Sequence, residues 1–522
     1  MKKIFSILAL SGAVMLAGCN SLDLAPIDYA AAGNYWTSEA QISMYFQGMM
    51  SQLRGDYTSP FVLGETLGGT LKEGSSIEGV SLSYSVMVTN LLTKDNTGIS
   101  NWNGYYARIL QVNHYIEQVH DYCEFLTEEA RKEYLAPAYG LRAYYYFMLY
   151  RTFGGVPLEK VANIINGETN IENMYMARAT AEETLAFIKE DIQNSENCYG
   201  SNTEKDPYYW NYYATQMLKA HVYMWSAKVS TSSPTGSHTA TGATDVNVAK
   251  AALQKVIGKF SLEESFANLY AYNHKAGKEV IFALHFDKSE TTNAAAQFYY
   301  QASIWCNSYS DEAGNLLADP LDLKGGGMHR DEYKESFVKS FDKADTRRAA
   351  TFHECYSTSN PATRTFGSAM LKYMGHTEGS NRYTDSDIMI YRYADALLLM
   401  AEAENFLGNQ AEAAGYVNQI RERAYGSGYP KFNTSDFATT ELAILKERDK
   451  EFVAEGCRWF DIVRMHDGSH QPLAFSAAAA YPATLGGTAT AVLGSGETHK
   501  LLWPVNAAVL AGDPLLEQTP GY

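Results

Sequence analysis

Residues 391–424 read YRYADALLLMAEAENFLGNQAEAAGYVNQIRERA, and this stretch decides the fold. On both sides of Gly408-Asn409 the sequence is rich in Ala, Leu, Glu and Gln, which favour α-helices, whereas Gly-Asn favours a turn. Ala401 and Ala413 occupy the small positions of a tetratricopeptide repeat, which allow its two helices to pack closely. The stretch therefore predicts an antiparallel helical hairpin.

Further helices are predicted along the chain from apolar residues that recur with the helical period. Thr180 and Glu183 form a capping box, which is typical of a helix start. The other predicted helices begin near Glu39 or cover residues 101–120, 127–150 and 209–228. The pattern predicts a mainly α fold, a tetratricopeptide-like scaffold built from stacked helical pairs.

Irregular segments interrupt this helical pattern. Residues 230–244 are polar and of low complexity, residues 279–286 (EVIFALHF) favour a short strand, and residues 287–327 and 467–499 lack helical periodicity. Loops of this length are usually functional or disordered. We therefore expect a loop-rich, irregular ligand-binding region beside the helical scaffold.

The first twenty residues, MKKIFSILALSGAVMLAGCN, have the features of a bacterial lipoprotein signal. Two lysines precede an apolar stretch of about fourteen residues, which is too short to span a bilayer and typical of a signal peptide. Leu-Ala-Gly then precedes Cys19, as in a lipobox. We expect a signal peptide at 1–18, lipidation of Cys19, and a lipidated tether at 19–35 that anchors the protein to a membrane.

Charge and cysteine usage exclude several classes of function. The net charge is −17, which opposes binding to nucleic acid and to anionic lipid. Six cysteines are present at wide spacings without a CxxC motif or a Cys/His cluster, so neither a disulfide framework nor a zinc site is indicated.

Eight segments, in order, carry a resemblance to a known family. They are WTSE (36–39), the helix with Trp102, Tyr105, Tyr106 and Asn113, LRAYYYFMLYRTFGGVPL (141–158), KEVIFALHF (278–286), DTRR (345–348), IYRYADALLLMAEAEN (390–405), ERDKEFVAEGCRWFDIVR (447–464) and DPLLEQTPGY (513–522). Behind a lipobox and across nearly the whole mature chain, they resemble the SusD/RagB family of outer-membrane nutrient-binding proteins.

The resemblance implies an N-terminal helical part at 36–230 and a C-terminal part at 270–522 that form a single compact body. It also implies a lipoprotein of the outer membrane, facing the cell exterior, that acts as a lid over a SusC-like, TonB-dependent β-barrel transporter. Such a protein captures an oligosaccharide or polysaccharide, or less often a peptide, for import. It is not an enzyme.

The charged residues of the family motifs are predicted to be architectural. Glu455, Arg458, Asp461 and Arg464 follow one another at steps of three residues, so that ion pairs can form along one helix face. Arg347, Arg348, Arg392 and Asp395 are interpreted in the same way. We expect these charges to fix helix packing.

Residues 297–311 (QFYYQASIWCNSYSD) offer the best local mixture for a glycan site. Aromatic rings can stack on the apolar faces of sugars, while amides and carboxylates bind the hydroxyls. The loop at 65–96 is predicted to contribute as well. The candidate ligand-binding residues are Tyr299, Tyr300, Trp305, Asn307, Tyr309, Asp311, Glu65 and Tyr84; the alternative is that these aromatic residues pack the loop onto the scaffold.

No metal site or cofactor is predicted. Asp311, Glu312, Asn315 and Asp319 place hard oxygen ligands close together, so structural calcium is conceivable, but their spacing fits no EF-hand loop. His466 and His470 have no third ligand nearby, and the glycines at 325–327 lack the Lys-Ser/Thr pair of a phosphate loop.

Three alternatives to glycan binding stay open. The same scaffold can bind oligopeptides, because mixed aromatic and polar loops suit either ligand. A helical-barrel glycoside hydrolase needs two positioned carboxylates; with 59 acidic residues the sequence excludes no pair and nominates none. A helical-repeat scaffold for other proteins is the third alternative.

Overall fold

The computed structural model describes residues 35–99, 102–163, 171–305, 308–319, 321–357 and 364–522. The predicted signal peptide, Cys19 and all but the last residue of the predicted tether lie outside the described residues. The α-helices are α1 Glu39–Gly55, α2 Thr58–Glu65, α3 Ser85–Val88, α4 Asn103–Glu117, α5 Glu128–Phe153, α6 Ala181–Tyr199, α7 Tyr212–Lys228, α8 Ala243–Val256, α9 Ala302–Trp305, α10 Glu335–Val338, α11 Thr346–Thr351, α12 Tyr393–Phe406, α13 Gln410–Tyr425, α14 Phe437–Glu451, α15 Arg458–Arg464 and α16 Ala507–Gly512.

Short strands and single helical turns make up the remaining regular structure. The strands are β1 Val280–Leu284, β2 Tyr309–Ser310, β3 Phe352–Ser357, β4 Phe366–Met370, β5 His376–Glu378, β6 Asn381–Tyr383 and β7 Ile388–Arg392. They form three small antiparallel sheets, ordered β1-β7, β2-β3-β4 and β5-β6. A π-helical turn at Gln118–Tyr122 extends α4, and 3-10 turns lie at Thr66–Gly68, Ile171–Met174, Phe266–Tyr270, Tyr272–His274, Ala295–Phe298, Leu473–Phe475, Ala477–Ala479 and Thr498–Leu501.

The predicted hairpin at 391–424 is confirmed by α12 and α13. Gly408 between them has a φ of +83°, a left-handed conformation that glycine adopts without steric cost. Ala401 and Ala413 are fully buried. The two helices pack against each other at these small side chains, as the repeat pattern predicts.

Other helical pairs stack beside this hairpin. α5 packs on α6 and α7 on α8, and α8 in turn packs on α12. The capping box at the start of α6 is confirmed, because Thr180 Oγ1 accepts a hydrogen bond from Glu183 N while Glu183 Oε2 accepts one from Thr180 N. The mainly α, tetratricopeptide-like prediction is therefore correct.

Two hydrophobic cores hold the molecule together. The larger one lies among the stacked helices and draws residues from both sequence halves, from Trp36 to Val256 and from Ile281 to Val505. The smaller one lies under the irregular segments and contains Phe61, Leu71 and the rings of residues 298–309. β1 and β7 join the two regions, because Phe282 belongs to the first core and Ala283 to the second.

Buried ion pairs link the helices, as the charged family motifs predict. Arg392 binds Glu279, Glu451 and Glu455, and all four side chains are at most 5% exposed. Arg464 Nη2 lies 2.8 Å from Asp461 Oδ1, which confirms that predicted pair.

The predicted pair between Glu455 and Arg458 does not form. Gly456, with a φ of +71°, turns the chain before α15 begins, so Glu455 is not on that helix. Arg458 Nη1 instead lies 2.7 Å from Asp449 Oδ1 on α14. The ion pairs therefore hold helices together mainly by linking different elements, and less by linking residues along one helix face.

Two further observations concern cysteines and membrane helices. Cys123, Cys198, Cys355 and Cys457 are free thiols within the described part of the chain. Of the helices in that part, none combines the length and the hydropathy that are needed to cross a bilayer.

Candidate functional site

The irregular segments are joined into one loop region, which we define as residues 54–60, 69–99, 285–305, 308–319, 321–331 and 371–385. Ser83 N donates to Arg330 O over 2.8 Å, and Asn293 N donates to Thr384 O over 2.7 Å. Leu71 pairs with Tyr333 at an isolated antiparallel bridge next to this region. The loops predicted to carry ligand contacts are therefore neighbours in space.

The predicted aromatic platform lies inside the second core. Tyr299, Tyr300, Trp305 and Tyr309 are between 0% and 7% exposed. The rings of Tyr300 and Trp305 stack with centroids 4.4 Å apart, and Tyr309 lies 5.1 Å from Trp305.

Hydrogen bonds fix the three tyrosine rings to the scaffold as well. The Tyr299 hydroxyl donates to Lys372 O over 3.0 Å, that of Tyr300 to Asp319 Oδ1 over 2.8 Å, and that of Tyr309 to Ile77 O over 3.1 Å. A ring without an exposed face cannot stack on a sugar. In this structure the four rings therefore pack the loop onto the scaffold, the alternative that the sequence left open.

Glu65 and Asp311 are also occupied by internal contacts. Glu65 is 2% exposed and accepts a hydrogen bond from the Tyr333 hydroxyl over 3.2 Å. Burial raises the pKa of Glu65 to about 8. The Asp311 carboxylate accepts hydrogen bonds from Asn315 N and Nδ2, each over 2.8 Å. Asn307 lies outside the described residues.

The residues considered for calcium do not converge. Glu312 Oε2 binds Lys343 Nζ at 2.8 Å, whereas Asp319 accepts hydrogen bonds from the Tyr300 hydroxyl and from Leu323 N. Within the described residues no three His, Cys, Asp or Glu side chains are grouped so that they could hold a metal ion.

Tyr84, like Asp311, remains partly exposed. Its φ is +61°, a left-handed conformation that is rare for a bulky residue and often marks a functional position. Its ring contacts Phe61 with centroids 6.2 Å apart. Burial, together with the nearby Asp331 carboxylate and the Tyr57 hydroxyl, raises the pKa of the Tyr84 hydroxyl to about 12.

Tyr57, Tyr84, Arg330 and Asp331 form a group that we call the Asp331 cluster. Tyr57 is partly exposed at the corner between α1 and α2, its ring lies 5.2 Å from that of Phe286, and its hydroxyl accepts a hydrogen bond from Ala294 N. The Arg330 side chain is exposed and forms no ion pair with any described residue.

Asp331 is 4% exposed, and its Oδ2 atom is buried without a hydrogen-bond donor among the described residues. Loss of hydration raises the pKa of the Asp331 carboxyl to about 7, although the charges of His329 and Arg330 lower it. A buried acceptor without a donor costs free energy. The cluster thus combines a buried carboxylate oxygen without a donor, an exposed guanidinium and two partly exposed tyrosine rings.

The sequence interpretation missed Tyr57, Arg330 and Asp331. The available signal was the charged sequence His329-Arg330-Asp331, which follows the three glycines at 325–327 after Met328. The glycine run by itself suggests only a phosphate loop. Tyr57 lies in the short corner between α1 and α2, where the sequence has no motif.

A cleft of about 620 Å³ lies elsewhere, between α4 and α16. Its lining is mostly apolar and includes Trp102, Leu110, Met174, Met176 and Leu516. The polar atoms that line it are partly engaged, since Asn113 Nδ2 donates to Glu159 O and Asp513 accepts from Met176 N. Its chemistry suits a hydroxyl-rich ligand less well than that of the Asp331 cluster.

Two family models match the chain. Residues 238–522 match the model described as "SusD family", and residues 37–224 match the model described as "Starch-binding associating with outer membrane". Together the two matches cover most of the described residues.

Relatives and solved structures agree with these matches. SusD-like protein P38 of Formosa agariphila is 28% identical over 461 residues, which cover 83% of this chain and 82% of the relative. A SusD superfamily protein of Bacteroides fragilis has a TM-score of 0.85 at 34% identity, and the match covers 94% of this chain and all of that one. Surface glycan-binding protein A of Bacteroides uniformis shares the fold with a TM-score of 0.68 at 21% identity, over 92% of this chain and 99% of that chain.

Proposed function

This chain belongs to the SusD family, and we propose that it binds a glycan at the outer-membrane surface, without catalysis, and delivers it to a SusC-like, TonB-dependent β-barrel transporter. The observation that carries the binding proposal is the Asp331 cluster. Its tyrosine rings can stack on sugar faces, its guanidinium can donate to hydroxyl oxygens, and its carboxylate can accept from hydroxyl groups.

The composition of the cluster favours binding over hydrolysis. Glycoside hydrolysis uses two carboxylates on either side of the scissile bond. The acids next to Asp331 in the chain are already engaged: Glu332 Oε1 binds Lys72 Nζ at 3.0 Å, and Glu332 Oε2 accepts from Ile77 N at 2.9 Å. Because Glu332 is engaged, it does not supply the second catalytic carboxylate beside Asp331, which favours recognition of a sugar over its hydrolysis.

Location at the outer membrane is supported by two independent observations. The lipobox at Cys19 predicts an acylated N-terminus. The description of the model that matches residues 37–224 names association with the outer membrane and starch binding. The proposal of a glycan ligand and of a transporter partner follows from the family and from this chemistry together.

Binding is tested with the purified mature chain against a panel of polysaccharides and a peptide library, by affinity electrophoresis and calorimetry. We expect saturable binding to at least one glycan. Tyr84→Gly, which removes the ring and accepts the left-handed conformation, is expected to weaken that binding by about 1–3 kcal/mol. The matched control is Tyr122→Ala, because Tyr122 is 61% exposed and lies at the end of α4.

Three results would contradict the proposal. Saturable binding to peptides alone would favour the peptide-binding alternative. Turnover of a glycan by the purified protein, abolished by one Asp or Glu substitution, would favour a hydrolase. Retained glycan affinity in Tyr84→Gly would remove the Asp331 cluster from the binding site. Delivery is tested separately by co-purification of the lipidated chain with an outer-membrane β-barrel.

A further inference from the structure

Asp331 differs from Glu65 and Asp385, each of which also has one unpaired buried oxygen but is hydrogen-bonded through the other, because no described residue pairs with its carboxylate. Among the described residues, none donates a hydrogen bond to either of its carboxylate oxygens. Glu78, by contrast, accepts hydrogen bonds from Gln301 N at 3.1 and 3.0 Å and lies 2.9 Å from His329 Nδ1. A desolvated carboxylate without a partner is costly to keep, which points to a partner that arrives with the ligand.

The cations near this part of the loop region are mostly neutralised. Arg54 Nη1 lies 2.6 Å from Glu290 Oε2, and Lys324 Nζ lies 2.5 Å from Asp322 Oδ1. Lys288 is paired with Glu378. Among the described residues Arg382 and Lys334 also form no ion pair and donate to backbone oxygens instead. Within the cluster the Arg330 cation is balanced by the Asp331 carboxylate, so the cluster carries no excess of positive charge that would attract a uronate or a sulfate ester.

We propose that Asp331 is the specificity-determining acceptor of the glycan site: it accepts hydrogen bonds from the hydroxyl groups of a neutral sugar, and its ionisation makes affinity depend on pH. The inference rests on the proposed function of glycan binding. The sugar then supplies the hydrogen-bond donors that the fold does not provide to Asp331. These donors are the hydroxyl groups of an uncharged sugar ring.

The pH at which the Asp331 carboxyl ionises depends on the titratable and charged groups around it. They are His329 and Arg330 on its own segment and the hydroxyls of Tyr84 and Tyr333, with Tyr57 beside Tyr84 and Glu65 bound to Tyr333. Because the pKa of the free carboxyl lies at about 7, it is mostly protonated at pH 6 and mostly ionised at pH 8. Sugar hydroxyls that donate to the carboxylate favour the ionised form. Affinity for a neutral glycan should therefore rise by about tenfold from pH 6 to pH 8.

The experiment measures dissociation constants at pH 6, 7 and 8 for starch, mannan and xyloglucan as neutral probes and for polygalacturonate and chondroitin sulfate as acidic probes. Wild type is expected to bind a neutral probe with the pH dependence given above. Asp331→Asn is expected to bind it about tenfold more weakly at pH 8, and its affinity should not change with pH. Near pH 6 the two proteins should converge. Asp95→Asn, a change at a side chain that is 70% exposed, is the matched control.

A second measurement does not depend on any variant. Calorimetry of wild type at pH 7 in buffers of different ionisation enthalpy reports protons released on binding, and about half a proton per bound neutral glycan is expected. Uptake of protons or no release would overturn the inference.

The remaining outcomes are equally decisive. Unchanged affinity or a retained pH dependence in Asp331→Asn would overturn the role of Asp331 while leaving glycan binding intact. Binding confined to polygalacturonate or chondroitin sulfate would overturn the neutral-sugar specificity. Failure of wild type to bind any glycan at any pH would instead overturn the proposed function, and this inference with it.

Discussion

At the scale of single residues, burial separates structural aromatic residues from those that can meet a ligand. Trp305 and Tyr84 lie in segments that were both predicted to contribute to the site. Trp305 is fully buried against Tyr300, whereas Tyr84 is partly exposed and held in a left-handed conformation. The same chemistry of a flat apolar ring thus serves packing at one position and is available for binding at the other.

Trp305→Ala is expected to destabilise the protein by about 3–5 kcal/mol, because it removes a fully buried indole from the second core. Thermal unfolding followed by circular dichroism measures the effect. Phe125→Ala, at a ring that is 46% exposed, is the control and should change stability little. A Trp305→Ala protein of normal stability that no longer binds glycan would return Trp305 to the binding site.

At the scale of elements, small side chains determine how closely the helices of a pair approach. Ala401 on α12 and Ala413 on α13 are fully buried where the two helices meet. Larger side chains at such positions force the helices apart or into strained rotamers. The hairpin that decides the fold should therefore be sensitive to added volume on one face of α13 and tolerant on the other.

Ala413→Leu is expected to lower the free energy of unfolding by about 1–3 kcal/mol through overpacking. Ala411→Leu adds the same volume two residues away on the same helix, at an exposed position, and should be nearly neutral. Chemical denaturation of both variants and of wild type provides the comparison. Equal effects of the two substitutions would contradict the packing of α12 against α13.

At the scale of the whole molecule, buried charges connect the helical scaffold to the irregular part. Arg392 joins Glu279 before β1, Glu451 on α14, and Glu455 beside Lys372, which follows β4. The ion pairs lower the pKa values of Glu451 and Glu455, although burial opposes this. Their stabilising contribution is therefore present at neutral pH and is lost as the pH falls below the ordinary range of a glutamate.

Arg392→Met is expected to cost about 3–5 kcal/mol, because it leaves three buried carboxylates without their shared partner. Lys343→Met removes an exposed pair with Glu312 and should cost at most about 1 kcal/mol. Calorimetric unfolding at pH 7 compares the two. A difference smaller than the error of the measurement would argue against a structural role for the network.

Cys19→Ala is expected to release the protein from membranes without unfolding it, since the predicted anchor is the lipidated thiol and the described fold begins later in the chain. Cell fractionation with immunoblotting measures the distribution, and circular dichroism of the released protein checks its fold. Unchanged membrane retention of the variant would contradict the lipoprotein prediction.

The sequence by itself determined the helical architecture, because helix signals are local. The turn at Gly408, the small residues Ala401 and Ala413, and the capping box of Thr180 and Glu183 all lie within a few residues of the structure that they specify. The family resemblance, which rests on such segments in order, was correct for the same reason.

Only the tertiary structure decided which side chains of the loop region are free. The Tyr309 hydroxyl is bound by Ile77 O, 232 residues away, and Glu65 by Tyr333, 268 residues away. No local pattern reports such contacts, because burial in irregular segments depends on how distant parts of the chain pack. The same long-range packing satisfies Glu78 and Glu332 and leaves the Asp331 carboxylate without a donor.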